Sequence, residues 1–463
     1  MPMSDPILAV AQMRAAEQQL IDDGTDVHEL MRRAGQGAAA WVWRMAAGRP
    51  VTVLCGPGNN GGDGYVLAKW LRAKGSPVCV IALQPPRTDA ARRAAELYGG
   101  PVQPSAGDIS GDILVECLFG TGQNRPLDVA TQALLDHCVA RHRRVVAIDL
   151  PANVDADSGA LLGPVATQAM TLALGAWKPA HWLMPAAMHM GLRQRVEIGL
   201  APITGGLRLA LSDPLNAPAP DAHKYTRGMV GVIGGDMPGA ALLAAKAAMH
   251  GGAGYVKLLP QQTPAVVPDA LVVDTKPLPH ALDDPRFAAL LVGPGLGRGD
   301  AALERLAKVL AAARPTVIDA DALHLLEPGM VKGRSDLVVT PHEGELARLC
   351  ARFGIPAGSK LARVQALSQV SGLTVLAKGP DTVLAAADGY CAILPPATPW
   401  LSTAGTGDVL AGLLASRLAT GAAPVRAAAQ ASRIHAQAAR ASGAAWNADG
   451  LVKALPAAYA ALL

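Results

Sequence analysis

The hydrophobic positions of this chain fall into two rhythms. Over residues 7–47, Met13, Glu17, Leu20, Ile21, Leu30, Met31 and Ala34 lie at helical spacing and set out a pair of helices, broken near Asp22-Asp23-Gly24. Short β-branched runs then alternate with helical stretches: "VTVLC" (51–55), a helix from about Gly64 to Lys74, "PVCVIAL" (77–83), a helix near 88–98, "DILVECLF" (112–119), a helix near 129–140 and "RVVAIDL" (144–150). Strands alternating with helices predict a parallel sheet with helices on both faces. Residues 166–177 and 194–200 complete that domain.

Periodicity fails between about 201 and 222, where "SDPLNAPAPDAH" reads as an extended linker. A second series follows: "MVGVIGG" (229–235), a helix, "YVKLLP" (255–260), "ALLVGPGLG" (289–297), "PTVIDA" (315–320), "DLVVTP" (336–341), "LTVLAKG" (373–379), a hairpin near 381–394 and a long helix opening at "GTGDVLAG". The pattern predicts two α/β domains, residues 1–212 and 213–463, with no repeat period between them.

Composition agrees and narrows the function. A chain of 463 residues exceeds what one core usually holds. Aromatics make up only 3%, so aliphatic and alanine packing must fill the cores. The net charge of +4, without a run of one sign, argues against nucleic acid as a partner. Six scattered cysteines without C-x-x-C spacing argue against a zinc ribbon or a disulfide framework. No apolar run reaches about 18 residues, and the amino-terminal stretch has no signal-like apolar region. The expectation is a cytoplasmic protein with reduced thiols and no membrane partner.

Chemistry concentrates in loops at strand ends. In "CGPGNNGGDGY", Gly56, Gly58 and Gly61 spell G-x-G-x-x-G between a strand and a helix, where backbone amides suit an anion. A redox-cofactor fingerprint also needs an acid about 20 residues on. Here the next strand ends in Gln84. The loop instead carries Asn59, Asn60, Gly61, Gly62 and Asp63, whose oxygens suit a hard cation or a sugar hydroxyl. Two further loops belong to the same sheet. "LFGTGQNRPL" offers Gly120, Thr121, Gly122, Gln123, Asn124, Arg125 and Pro126, and "IDLPANVDADSG" puts Asp149 at a strand tip as an acid/base candidate or a plain turn cap.

In the second half, Gly405-Thr406-Gly407 leads into a helix with Asp408 in its first turn. Amides there can cradle a transferring phosphoryl group, and the carboxylate can take a proton from an attacking hydroxyl. His342 stands at a helix start, as ligand contact or mere cap, and Lys378 at a strand end, as phosphate partner or solvated charge. Asp319 and Asp321 suit Mg²⁺ or a helix cap.

These residues resemble a known pair of domains. "ELMRRAG" (29–35), "GPGNNGGDG" (56–64), "LFGTG" (118–122) and "DLPANVDADSG" (149–159) resemble the NAD(P)H-hydrate epimerase domain, a Rossmann-like α/β/α fold. "HKYTRGMVGVIGGD" (223–236), "AAMHGGAGYV" (247–256), "GPGLG" (293–297), "TPHEGE" (340–345), "KGPDT" (378–382) and "AGTGDVLAGLL" (404–414) resemble the ADP-dependent NAD(P)H-hydrate dehydratase, a ribokinase-like α/β/α fold. The order is that of the bacterial bifunctional repair family.

The resemblance implies a substrate, NADHX or NADPHX, hydrated at C6 of the nicotinamide. The first domain would interconvert its R and S forms, and the second would dehydrate the S form with ADP, giving AMP and phosphate. It implies that residues 59–63 and 120–126 and Asp149 bind the hydrate, with Asp149 and Lys178 in the chemistry. K⁺ would be held at Asn60, Glu116 and Ala152. In the second domain Asp408 would be the base and would touch the hydrate with Ala240, Gly297 and His342. Lys378, Gly379, Pro380, Asp381, Thr382, Gly405, Thr406 and Gly407 would bind ADP, with Mg²⁺. A homo-oligomer is expected.

Three positions of the first domain depart from the family pattern, and in the second "GGDMPGA" lacks the aromatic often found in that loop. Glu116 stands for the usual Asp, Ala152 for Ser, and Asn153 for Gly in D-x-P-S-G, so the cation site loses a hydroxyl. The rival readings are a ribokinase-like small-molecule kinase, against which the N-N-G-G-D-G half argues, and a dinucleotide sensor, against which Asp408 argues.

Overall fold

The protein is described from a computed structural model, in which residues 5–201, 206–210 and 214–463 are placed. It divides into two compact units, Asp5–Gly206 and Leu207–Leu463. The strands in chain order are β1 (Asp5–Pro6), β2 (Val51–Cys55), β3 (Val78–Ile81), β4 (Val102–Gln103), β5 (Gly111–Cys117), β6 (His142–Ile148), β7 (Met170–Leu174), β8 (Leu192–Val196), β9 (Leu207–Leu209), β10 (Met229–Ile233), β11 (Tyr255–Leu259), β12 (Val272–Val273), β13 (Phe287–Val292), β14 (Thr316–Ile318), β15 (Leu337–Val339), β16 (Thr374–Ala377), β17 (Val383–Ala385) and β18 (Cys391–Ile393).

In the first unit the sheet runs β4-β3-β2-β5-β6-β7-β8, and every neighbouring pair is parallel. Strands covered on both faces should be apolar throughout. β2 and β7 are buried at every position, as is β5 from Ile113 onward. Two amino-terminal helices, Val10–Asp22 and Val27–Ala46, break where the sequence places the break. The helix after β2 starts at Asn59, not near Gly64. The residues Asn59–Asp63 therefore form its first turn, and only Gly56–Gly58 remain as loop.

The second unit's sheet follows β9-β18-β17-β16-β15-β14-β13-β10-β11-β12. It is parallel from β12 to β16, and the β16-β17-β18 hairpin is antiparallel. The apparent linker is not wholly extended chain. Leu207–Leu209 pairs in parallel with Cys391–Ile393, so the units part after Gly206, before the expected boundary at 212. Three residues are too short to show a period, which is why the strand was hidden. Residues 211–213 lie outside the described residues.

Alanine packing replaces aromatic bulk here. Ala244, Ala245 and Ala248 from helix Pro238–Ala248 share a core with Leu413 and Leu414 of helix Thr406–Ala419, and with Ala427 and Ala431 of helix Pro424–Ala441. At Gly412 a Cβ would lie 2.1 Å from the Ala244 carbonyl oxygen, so glycine lets those helices touch backbone to backbone.

Candidate active sites

In an open α/β sheet the crevice lies where the strand order reverses, beyond the carboxyl ends. The first unit reverses between β2 and β5. The loops after these strands are pressed together: a Cβ on Gly56 would lie 1.9 Å from the Leu118 oxygen, and one on Gly61 would lie 1.8 Å from the Gly56 oxygen. Two glycines of the fingerprint thus serve backbone packing, while Gly58 has open space around it.

Around this seam the polar side chains converge. Asn60 is buried and donates through Nδ2 to the carbonyls of Phe119 (2.8 Å) and Ile148 (3.0 Å). Its Oδ1 is buried without a partner among the described residues. A buried acceptor left unmet is costly, which makes this oxygen a candidate ligand atom for a donor or a cation. Glu116 accepts the N–H groups of Leu118 (3.2 Å) and Ala152 (2.9 Å). Burial pushes its carboxyl up to about 7, against the pull of those two N–H groups. No cluster of three or more His, Cys, Asp or Glu side chains able to hold a metal occurs among the described residues. Any cation here would rest on amide and carbonyl oxygens, with Glu116 as the one nearby carboxylate.

Asp149 follows β6 with φ +65°, a strained conformation for a residue with a side chain. Its Oδ1 takes the Lys178 ammonium at 2.5 Å and the Leu174 N–H at 3.2 Å. Lys178 is 1% exposed and also donates to the Leu174 carbonyl at 2.8 Å. His181 Nδ1 accepts the Lys178 N–H (2.9 Å), so its Nε2 donates to the Asp149 carbonyl (2.8 Å). Burial first, and Lys178 second, lower the imidazole to about 4, which keeps it neutral. Asp63 is buried nearby, and burial, then Asp149 and Glu17, raise its carboxyl well above the usual range. Gly120 abuts Asp149, for its Cβ would lie 2.7 Å from Oδ2.

Other expected ligands sort differently. Asn59 Oδ1 accepts the Thr88 hydroxyl (2.6 Å). Gln123 spends both ends of its amide inside the fold, accepting the Asn153 N–H and donating to Asn153 Oδ1 and the Arg125 carbonyl. Its side chain supports the loop. Gly62 is buried in the first helical turn and Thr121 half-buried in the 118–127 loop, whereas Gly122, Asn124, Arg125 and Pro126 are exposed at that loop's rim. Asn153 has φ +64° and replaces the motif's glycine in the left-handed region. Its side chain accepts the Leu127 N–H and donates to Gln132 and the Pro164 carbonyl, which offsets the strain.

The second unit reverses strand order between β10 and β13. Gly405 (φ +88°) caps helix Thr406–Ala419, and a Cβ there would meet Leu243 Cδ2 at 2.7 Å. His435 Nε2 lies 2.9 Å from the Thr406 carbonyl; burial lowers this imidazole to about 4, so it stays neutral and donates. A Cβ on Gly407 would stand 3.5 Å from Lys378 Nζ, so an ammonium faces the helix start. Lys378 is not a solvated charge: it binds Asp319 Oδ1 at 2.6 Å, which also takes the Thr340 hydroxyl at 2.7 Å. Asp408 sits half-buried in the first turn. Burial, then the charge of Asp319, push its carboxyl up to about 7, against the pull of Lys378.

Lys360, absent from the sequence reading, pins the loop at 378–382 by donating to the carbonyls of Lys378 (3.2 Å) and Asp381 (2.9 Å) and to Asp381 Oδ1 (2.6 Å). Gly379 and Pro380 are exposed there, and Thr382 closes the turn onto the Gly379 carbonyl. Gly297 (φ +87°) donates to Asp321 Oδ2, and Asp321 also takes Arg298. Ala240 stands against Gly295. His342 is the cap of helix Glu343–Arg352, its Nδ1 accepting from Gly344, while the ring remains 60% exposed beside Glu345. Cap and outward-facing ring coexist.

Comparison with known proteins places both units. A family model described as NAD(P)H-hydrate dehydratase matches residues 230–456, and one described as YjeF-related protein N-terminus matches residues 27–180. The bifunctional NAD(P)H-hydrate repair enzyme Nnr of Mycobacterium tuberculosis (strain CDC 1551 / Oshkosh) is 33% identical, covering 89% of each chain. The chain belongs to the bifunctional NAD(P)H-hydrate repair enzyme family. The family member of Salinibacter ruber is 32% identical over 95% of this chain and 92% of its own. The Bacillus subtilis ADP/ATP-dependent NAD(P)H-hydrate dehydratase, co-crystallised with ATP/Mg²⁺, is 25% identical, with a TM-score of 0.47 over 54% of this chain and 95% of that one. Among the described residues no helix is long and apolar enough to cross a membrane.

Proposed function

We propose that the first unit epimerises R- and S-NAD(P)HX and that the second dehydrates the S form with ADP, giving NAD(P)H, AMP and phosphate. The observation that carries the reading is Asp408. It is a carboxylate with a proton affinity near neutrality, one residue past Gly407, with Lys378 facing the same amides. That arrangement takes a proton from the C6 hydroxyl as its oxygen attacks the β-phosphoryl group, while amides and ammonium meet the developing charge. Loss of phosphate then restores the ring double bond. Lys378 to Thr382, with Gly405 to Gly407, would hold ADP, and Ala240, Gly297 and His342 would border the hydrate.

In the first unit Asp149, paired with Lys178, is the acid/base group. The unmet Asn60 Oδ1 supports a K⁺ site, with Glu116 and the Ala152 backbone as the remaining donors. Bound there, K⁺ would supply a fixed positive charge beside the hydrate's phosphates. Mg²⁺ would arrive on the phosphates of ADP, since Asp319 and Asp321 are already engaged by Lys378, Thr340, Arg298 and the Gly297 N–H. The enzyme is taken to be a cytoplasmic homo-oligomer, which light scattering on the purified chain tests. The main test supplies S-hydrate and ADP and follows recovery of reduced-nicotinamide absorbance and release of AMP. No recovery at any ADP concentration would overturn the dehydratase reading.

A further inference from the structure

Three carboxylates and one ammonium gather at the end of β7, and only one carboxylate is committed. Asp149 is held by Lys178 and the Leu174 N–H. Asp63 is 8% exposed, yet neither it nor Glu17 has a side-chain hydrogen bond or ion pair among the described residues. Glu17 reaches the cluster from helix Val10–Asp22. The Leu8 N–H donates to the Trp177 carbonyl at 2.8 Å, which ties the start of that helix to the residue before Lys178. Met13 packs on Gly175, where a Cβ would lie 2.8 Å from Met13 Cε. Residues four apart share a helix face, so Glu17 follows Met13 over the strand end. There burial first raises its carboxyl, Lys178 and Arg14 pull it down and Asp149 pushes it up, while Asp63, the more deeply buried of the two, feels Glu17 in turn.

We propose that Glu17 is a positioning residue of the epimerase site: Glu17 and Asp63 keep one proton between them, placed on Asp63, which stands as the acid beside the Asp149 carboxylate. The proposal rests on the epimerase reading above. Two neighbouring carboxyl groups in a dry site cannot both ionise cheaply, so one retains its proton. Burial of Asp63 works the same way. The step then balances. Asp63 gives its proton to the C6 hydroxyl. The C6–O bond breaks with its electron pair on oxygen, which leaves as water, and the N1 lone pair forms a C6=N1 bond. A water then adds to the other face of C6, the C6=N1 electrons return to N1, and the proton lost by that water goes to a carboxylate of the cluster. One water leaves and one enters, with no oxidant or reductant.

The test uses the full chain and R-hydrate without ADP, following formation of the S form across a pH series. In Glu17→Gln the alkaline limb of the rate profile is expected to move to lower pH by about one unit, because a neighbouring charge no longer favours the proton on Asp63. Glu17→Asp should hold the limb near its original place and keeps the test open if the Gln variant misfolds. ADP-dependent dehydration of S-hydrate by the same preparations should stay at the parent rate. An unmoved limb in Glu17→Gln overturns the proposal, whatever happens to the rate. Retention of the original C6 oxygen during epimerisation in ¹⁸O-water overturns the step. Failure of the parent chain to convert R-hydrate would instead overturn the epimerase reading itself.

Discussion

Each unit puts a lysine–aspartate pair at the carboxyl end of its sheet, yet the pairs do different work. In the first unit Lys178 holds Asp149, the residue proposed to exchange protons. In the second Lys378 holds Asp319, and the proposed base, Asp408, stands apart from that pair. A salt bridge fixes its carboxylate as an anion. That holds a buried carboxylate in place, ready to accept the proton released when water adds to C6. A base that must pick up a proton at neutral pH is better left unpaired and partly desolvated, as Asp408 is.

The comparison breaks most readily at Asp408. Asp408→Ala should lower ADP-dependent dehydration by about 10³-fold, the range of a lost general base, and leave R-to-S conversion unchanged. Asp149→Asn should do the reverse, lowering epimerisation by about 10²-fold or more. It should also destabilise the first unit by roughly 3 kcal/mol, since Lys178 would stay buried without its counter-ion. Lys378→Met should destabilise less, because that pair is more exposed, and differential denaturation of the two variants checks this.

pH separates the sites next. A base with a carboxyl near 7 is active when ionised, so dehydratase kcat/KM should rise about tenfold per pH unit below 7 and level off above it. Linkage runs the other way for stability. A carboxyl raised in the folded state binds more protons folded than unfolded, so its contribution is greatest below the unfolded value near 3.8 and is lost as pH rises to about 7. A dehydratase profile flat between pH 5 and 8 would count against the unpaired base.

The smallest effects concern supports. Lys360→Met should raise the KM for ADP about tenfold while kcat changes little, because the loop at 378–382 loses its three bonds to the ammonium. Ala152→Ser should restore a hydroxyl beside Glu116 and tighten K⁺ activation of epimerisation by only a few-fold, about 1 kcal/mol.

Much of this was legible in the sequence. Alternating apolar runs gave both sheets, and the loops that carry Asn60, Asp149, Lys378 and Asp408 could be named because glycine and polar residues cluster at strand ends. What stayed hidden is long-range. Glu17 occupies an ordinary helical position, and only the fold brings it to Asp63, from which it is separated by a second helix, a strand and a loop. Lys360 sits in a helix with no motif around it. Gln123 belongs to a motif that the resemblance assigns to ligand binding, and here its amide is engaged by Asn153, itself a departure. Glu116 reads as one methylene too many; in the fold both its oxygens meet backbone N–H groups.

The bond from His435 to the Thr406 carbonyl has a consequence for how such genes are read. The G-T-G-D signature sits well before the end of the chain, and helix Pro424–Ala441 braces it from behind. A copy truncated after Gly421 would still display every signature residue and would pass any motif search as intact. It would lack the imidazole that holds the signature's first helical carbonyl, and with it the alanine-rich surface against which that helix packs. An inventory of repair genes built on motifs alone would therefore count broken copies as working ones.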